Sequence, residues 1–405
     1  MFTLPLLVAF LAPVDPASAF VTSGSEHEPA VGRIVKLAAD GSVELATSEG
    51  NFTVRDFVSL RRISVALPPL PRGPVLITTI GDRIPIVVRN AGGLVGGNDQ
   101  TLKLQTALAE AEWELPASTT CVVWFAKPPA ETPFDLARYS WLPPNRNRDI
   151  LRFRNGDTGT GAIAGFGEDP PIVKLKPESG DERNIPQSEV SALAFNPTLA
   201  RTRKPKGPYA RMVLRDGTRL AITLATADAK TLKGKTLFGQ AVEVPVAELV
   251  SLDVMQGKAT YLADLKPKKA DSTGFLGTAW TWTANQTVRG EPLRLLTSNG
   301  TSTFDRGIGT HPRTTLTYEL GGKYRRFEAL IGLDAATGER GQAVVRVLVD
   351  GKEQLLPELL KLSAGPAIAL RIDVGIAKEL TLIVDFGPGG NVQADVNWGD
   401  ARLVE

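Results

Sequence analysis

The chain has one cysteine, Cys121, and two histidines, His27 and His311, among 405 residues. A single thiol builds neither a disulfide framework nor a multi-cysteine zinc site. Two imidazoles leave zinc chemistry and histidine-based acid–base catalysis little to work with. Charge of one sign is also missing: 46 Lys and Arg stand against 44 Asp and Glu, a net charge of +2. No overall field therefore favours nucleic acid or an anionic membrane. Beyond the N-terminus, no stretch approaches the roughly 18 apolar residues of a membrane span. Gly and Pro, by contrast, are abundant at 39 and 29, and they cut the chain into short segments that favour β-structure. At this length two or three domains are expected.

Met1 to Ala19 reads as an export signal. An apolar stretch from Leu4 to Ala12 leads to Pro13 and Pro16, then to Ala17-Ser18-Ala19, a small-residue cleavage pattern. No Lys or Arg precedes the apolar run. The mature protein is expected to be secreted or periplasmic.

Before residue 260 a pattern recurs. One half-unit is an alternating strand running into a Gly/Asp turn: Ile150 to Asp157, Met212 to Gly217, Val75 to Asp82 and Ile34 to Gly41. Asn-Gly and Asp-Gly supply the positive φ that tight hairpins need. The other half-unit is apolar-Pro followed by spaced apolar residues: Ile185-Pro186 with Val190, Leu193 and Phe195, and Val244-Pro245 with Leu249, Leu252 and Val254. A weaker copy is Leu115-Pro116 with Val123 and Phe125. Proline at a strand start removes no ladder bond, and the alternation after it buries one face. The pattern predicts four β units, at 31–64, 74–127, 149–196 and 209–255, each curled into a small SH3-like barrel; one irregular β domain is the alternative. Pro-rich separators lie at 67–71, 128–148 and 196–208, with a helix expected around Pro133 to Tyr139. The basic run Arg201 to Lys206 reads as a solvated connector.

From about Ala259 the texture changes to evenly spaced alternating runs: Thr314 to Leu320, Phe327 to Leu333, Ala343 to Val349, Ala367 to Val374 and Leu380 to Phe386. Turns such as Gly321-Gly322 and Asp350-Gly351 separate them, which predicts a two-sheet sandwich or jelly roll. The fold class is thus all-β, with curled repeats followed by a C-terminal sandwich over 259–405. The blocks Phe304-Asp305-Arg306-Gly307-Ile308-Gly309-Thr310-His311, Val345 to Gly351 and Asn397-Trp398-Gly399-Asp400-Ala401-Arg402-Leu403 resemble, in order and across the domain, the NPCBM family. This is a carbohydrate-binding module often appended to bacterial glycosidases. The resemblance implies a galactose-binding-like jelly roll with a sugar ligand. One segment departs: the family commonly shows Asp-His-Ala-Asp-Trp where this chain has Ala394-Asp395-Val396-Asn397-Trp398, so the histidine is absent and the second acid is an amide.

A neutral sugar presents hydroxyls in fixed directions and an apolar face, so its site needs Asp, Asn, Arg or His and usually an aromatic ring. The candidates are Asp305, Arg306, His311, Asp395, Asn397 and Trp398. Four have a structural alternative: Trp398 as a core ring, Asp305 and Arg306 as a surface pair, His311 as a packed imidazole. Trp280 and Trp282 would share one face of a strand, a core or inter-domain face before a platform. Calcium is the candidate structural ion, with Asp334, Asp350, Asp395 and Asp400 as loop oxygens but no EF-hand spacing. No Gly-x-Ser-x-Gly, P-loop or His-Glu-x-x-His motif occurs, and Glu110 and Glu112 read as a solvated edge. Cys121, beside Val122-Val123-Trp124-Phe125, reads as a buried small hydrophobe. The expected function is non-catalytic glycan or cell-surface polysaccharide binding, with the β repeats as spacer or envelope-protein surface. The alternatives are an envelope structural or interaction protein without sugar binding and, third, a glycosidase with an unrecognised catalytic domain.

Overall fold

A computed structural model describes residues 15, 17–24, 28–90, 92–129, 136–199, 205–274, 277, 279–356 and 361–405. Met1–Val14 and Pro16 of the expected export signal, residues 133–135 of the expected helix, and Arg201–Lys204 of the basic connector lie outside the described residues. The chain is built almost wholly of short strands, and every strand pairing named below is antiparallel.

The region from Phe20 to Met255 forms one hydrogen-bonded network of strands. Its hairpins follow the sequence: Val43–Thr47 pairs with Gly50–Val54, and Asp149–Phe153 pairs with Thr158–Glu168. Gly41 and Gly156 take the left-handed conformation at two of the predicted turns, with φ of 81° and 95°. Pro116, Pro186 and Pro245 each end a strand, where the sequence predicted that each would begin one, with φ between −61° and −55°. A three-residue 3-10 turn follows each, and then a buried strand: Thr120–Trp124, Val190–Ala194 and Leu249–Met255.

Ladders also join distant parts of this region. Phe57–Arg62 pairs with Leu249–Met255, and Thr120–Trp124 pairs with Val190–Ala194. One apolar cluster runs from Phe20 to Leu252 through these ladders. Around the expected helix, the described residues hold only a 3-10 turn at Leu136–Arg138.

The C-terminal region is a sandwich of two six-stranded sheets. In one sheet Val396–Val404 lies between Gly307–Thr310 and Arg326–Leu333. The other centres on Glu379–Phe386, between Thr314–Glu319 and Gln342–Val349. Inward residues of both sheets, among them Phe327, Ile331, Trp398, Tyr318, Val345 and Leu382, form a single core. That layering follows from strands whose alternate residues are apolar. The hairpin Leu293–Thr297 and Gly300–Phe304 stands outside both sheets. Its Leu293, Leu295 and Phe304 pack with Leu67, Val213 and Val250 of the first region. The Pro-rich stretch at Leu67, a separator by sequence, is thus laid onto the hairpin. Leu67 donates its N–H to Ser302 Oγ (3.1 Å) and accepts from the Thr303 N–H (2.9 Å).

Candidate functional site

The segment from Asp305 to His311 meets different neighbours at its two ends. Between them, Gly307 and Gly309 allow close approach of backbone to backbone. A Cβ on Gly307 would lie 2.2 Å from the Trp398 carbonyl oxygen, and one on Gly309 would lie 2.4 Å from that of Gln286. The glycines therefore serve packing within the sandwich.

At the near end, Asp305 Oδ1 accepts from Arg219 Nε (3.1 Å) and Oδ2 from Arg211 Nε (3.3 Å), both arginines of the first region. Burial pushes the Asp305 carboxyl up, but the two guanidinium groups outweigh it and hold the group below the usual carboxylate range. Arg306 pairs with Asp264 and places its Cζ 5.1 Å from the Tyr261 ring centroid. Asp305 and Arg306 are corrections to the expected sugar contacts: both are engaged in fixing the two regions together or in local pairing. Trp398 is the third correction. It is 0% exposed, inside the core, and its Nε1 donates to Thr310 Oγ1 (3.1 Å), so no ring face is open to a ligand.

At the far end, three expected residues come together with others that sequence reasoning did not assign to sugar. His311, Asp395 and Asn397 are all nearly fully buried. His311 Nδ1 lies 2.7 Å from the Pro312 carbonyl oxygen, which only accepts, so this nitrogen carries the proton. Its Nε2 then faces Asp395 Oδ1 at 3.8 Å. Trp280 lies against His311, with ring centroids 5.8 Å apart at 34°, and Arg289 Cζ sits 5.2 Å from the Trp280 centroid. Arg289 Nε donates to Asp395 Oδ2 at 2.7 Å; its side chain is 49% exposed and that of Asp395 is 1% exposed, so the pair runs from the surface inward. Trp280 is half-buried and precedes the strand Thr283–Ala284. The expected strand alternation of Trp280 with Trp282 does not hold, although Trp282 packs on the sandwich core. Arg289, in the turn before the hairpin, carries no sequence signal that would have selected it.

Hydrogen-bonding capacity at this end is left over. Asn397 Nδ2 donates to the Arg294 carbonyl (3.1 Å), while Asn397 Oδ1, Asp395 Oδ1 and Gln286 Oε1 are buried without a hydrogen-bond partner. Asp334 is adjacent, its N–H donating to the Asp395 carbonyl (2.9 Å). Burial, with Asp395 adding to it, raises the Asp334 carboxyl to about 6. Of the other oxygens considered for calcium, Asp350 Oδ1 accepts from the Lys378 and Glu379 N–H groups and Asp400 pairs with Arg61. Among the described residues, no three His, Cys, Asp or Glu side chains converge as a metal site would require.

The family model described as the NPCBM/NEW2 domain matches residues 258–404. The C-terminal region is an NPCBM domain. A Renibacterium salmoninarum protein that carries the name of an endo-alpha-N-acetylgalactosaminidase is 29% identical over 151 residues, 36% of this chain and 10% of that protein. The chain thus spans about a tenth of that relative's length. Among solved structures, a CBM51 module from Clostridium perfringens, determined with methyl-galactose, is 24% identical and covers 36% of this chain and 99% of its own, with a TM-score of 0.33. A second Clostridium perfringens structure, CBM51-2 with GlcNAc and INT domains, is 26% identical, covering 44% of this chain and 38% of its own at a TM-score of 0.33. The NPCBM domain is all-β, a sandwich of two sheets.

Proposed function

We propose that this is an exported, non-catalytic protein that holds a glycan at the far end of its NPCBM domain. The observation that carries the reading is the leftover acceptor capacity beneath Trp280 and Arg289. An unpaired buried acceptor costs about 1–3 kcal/mol, and sugar hydroxyls are the donors that would satisfy Asp395 Oδ1 and Asn397 Oδ1 once the partly exposed Trp280 and Arg289 side chains swing aside, since both oxygens are closed to solvent as they stand. Trp280 is the half-buried ring available for an apolar sugar face. A few such contacts, about 1 kcal/mol each and offset by association costs, place a monosaccharide in the roughly millimolar to tens-of-micromolar range. The part-buried carboxylates Asp305 and Glu328 support the non-catalytic part of the reading, since both are bound to arginines between the regions or beside that seam. In this reading the first region is a spacer or a surface for an envelope protein.

The altered Ala394-Asp395-Val396-Asn397-Trp398 segment supports a second reading, an envelope interaction protein that has lost sugar binding. Titrating the full chain with methyl-galactoside and N-acetylglucosamine separates the two. Weak binding that Trp280→Ala abolishes, with the melting temperature kept, is the expected result. Wild type that binds neither these sugars nor anything on a glycan array would establish the second reading instead. Intact mass of the mature secreted protein, expected to begin near Phe20, tests export.

A further inference from the structure

Beside the NPCBM site, and outside the matched domain for most of its wall, a cleft of about 280 Å³ opens between the two regions. Its size lies just below the ~300–1,000 Å³ of small-molecule sites, room for one ring and not for an oligomer. Four cations line it: Arg72, Arg83, Lys127 and Arg294. Among the described residues of the same wall, Glu291 is the one carboxylate. Arg83 bonds to Tyr139, but Arg72, Lys127 and Arg294 form no ion pair among the described residues. Apart from Thr303 the rest of the wall is apolar, and Pro69, Pro71, Pro128 and Pro129 stiffen it beside Trp124 and Tyr139.

The cleft shares a wall with the NPCBM site. Arg294 reaches into the cleft, while its backbone carbonyl accepts from Asn397 Nδ2. The turn carrying Arg289 leads to Glu291 and Pro292 of the cleft wall, and Arg138 of the first region donates Nη1 to the Arg289 carbonyl (2.7 Å). The first region thus braces the very turn that supplies Arg289 to Asp395.

We propose that this cleft is a second ligand site and takes an anionic sugar ring, carboxylated or sulfated. Unpaired guanidinium groups are suited to carboxylate or sulfate oxygens, because their forked donors match a pair of acceptors. The proline-rich wall receives the C–H face of a ring. That the ligand is a glycan unit rests on the reading above; that it is an anion rests on the cleft alone.

The test titrates the full chain with methyl-galactoside, glucuronate, galactose 6-sulfate and inorganic sulfate, in wild type and in the double variant Arg72→Gln/Lys127→Gln. Both residues are exposed, so the variant should keep the wild-type melting temperature. The expected result is charged sugars bound about tenfold more tightly than methyl-galactoside, with that advantage lost in the double variant and in 0.5 M salt. Glucuronate alone or the sulfated sugar alone showing the effect would identify which anion the cleft selects and supports the site. Equal affinity in wild type and variant overturns it. Inorganic sulfate binding as tightly as the sulfated sugar overturns the sugar-ring assignment. Should methyl-galactoside fail to bind while charged sugars bind in a variant-sensitive way, the NPCBM reading falls and the cleft stands.

Discussion

Asp305 and Asp395 lie on the same sandwich, 14% and 1% exposed, both beside arginine, and they do opposite things. Each oxygen of Asp305 has a guanidinium donor, from Arg219 and Arg211, and Arg219 is itself fully buried. Asp395 has one guanidinium, from a half-exposed Arg289, and its second oxygen has no hydrogen-bond partner. A carboxylate whose acceptors are all filled by the protein contributes to the structure and offers nothing to a ligand. One held by a single surface-reaching arginine, with an acceptor to spare, is where a ligand gains by binding. Residue type and sequence position do not distinguish the two; the count of partners does.

The largest effect expected from breaking this contrast is at Asp305. Asp305→Ala leaves Arg219 buried with carbonyl acceptors only, those of Gly217 and Pro68 at 2.8 and 2.6 Å and, more distantly, of Pro69 and Thr303 at 3.4 Å. Removing one partner of a buried pair costs about 3–5 kcal/mol, so urea denaturation should show a loss of that order. A loss below about 1 kcal/mol, the scale of an exposed pair, would mean the clamp is not what holds the two regions together.

A smaller effect follows from the carboxylate on the other side of the clamp. Asp82 is fully buried, its Oδ1 accepting from the Ala221 N–H (2.9 Å) and its Oδ2 unpartnered. Burial raises its carboxyl to about 6 against an ordinary 3.8, with Arg211 only partly opposing. The folded protein therefore holds a proton that the unfolded chain releases between pH 3.8 and 6, and stability falls as pH rises through that window. A rise of this size corresponds to roughly 2–3 kcal/mol once ionisation is complete. Asp334 acts in the same direction. Asp305 and Glu328, held below the ordinary range, act oppositely but only under about pH 4. The melting temperature should be higher at pH 5 than at pH 7.5, and Asp82→Asn should flatten the difference. A profile as steep in the variant as in wild type would remove Asp82 as its source.

The strands of the sandwich were legible because alternation and turn residues act locally: Thr314–Glu319 and Glu379–Phe386 stand within a residue or two of the expected runs. The prolines at 116, 186 and 245 were legible as strand boundaries but not in sense: each ends the strand before it, and a 3-10 turn separates it from the buried strand that follows. The role of Asp305 was not, because it depends on Arg211 and Arg219, 94 and 86 residues earlier. Trp398 was ambiguous in sequence, since an aromatic beside Asn and Asp suits a sugar site and a sandwich core alike; only its burial decides. Arg289 was invisible, since nothing in Val288-Arg289-Gly290 marks a residue that pairs with Asp395 106 positions later.

The smallest effect sharpens the comparison most, because stability and binding should part company at Asn397. Its side chain contributes one hydrogen bond, to the Arg294 carbonyl, and one buried acceptor without a partner. Asn397→Ala loses about 1 kcal/mol with the bond and regains a similar amount by deleting the orphan oxygen. The truncation also leaves the Arg294 carbonyl short of one donor. These terms nearly cancel, so the free protein should unfold within about 1 kcal/mol of wild type. With sugar bound the balance changes, because the orphan oxygen then has a hydroxyl donor and the variant lacks that bond. Affinity for methyl-galactoside should fall about five- to tenfold, the equivalent of roughly 1–1.4 kcal/mol. A variant that loses several kcal/mol of stability instead would show that Asn397 belongs with Asp305, as part of the packing and not of the site.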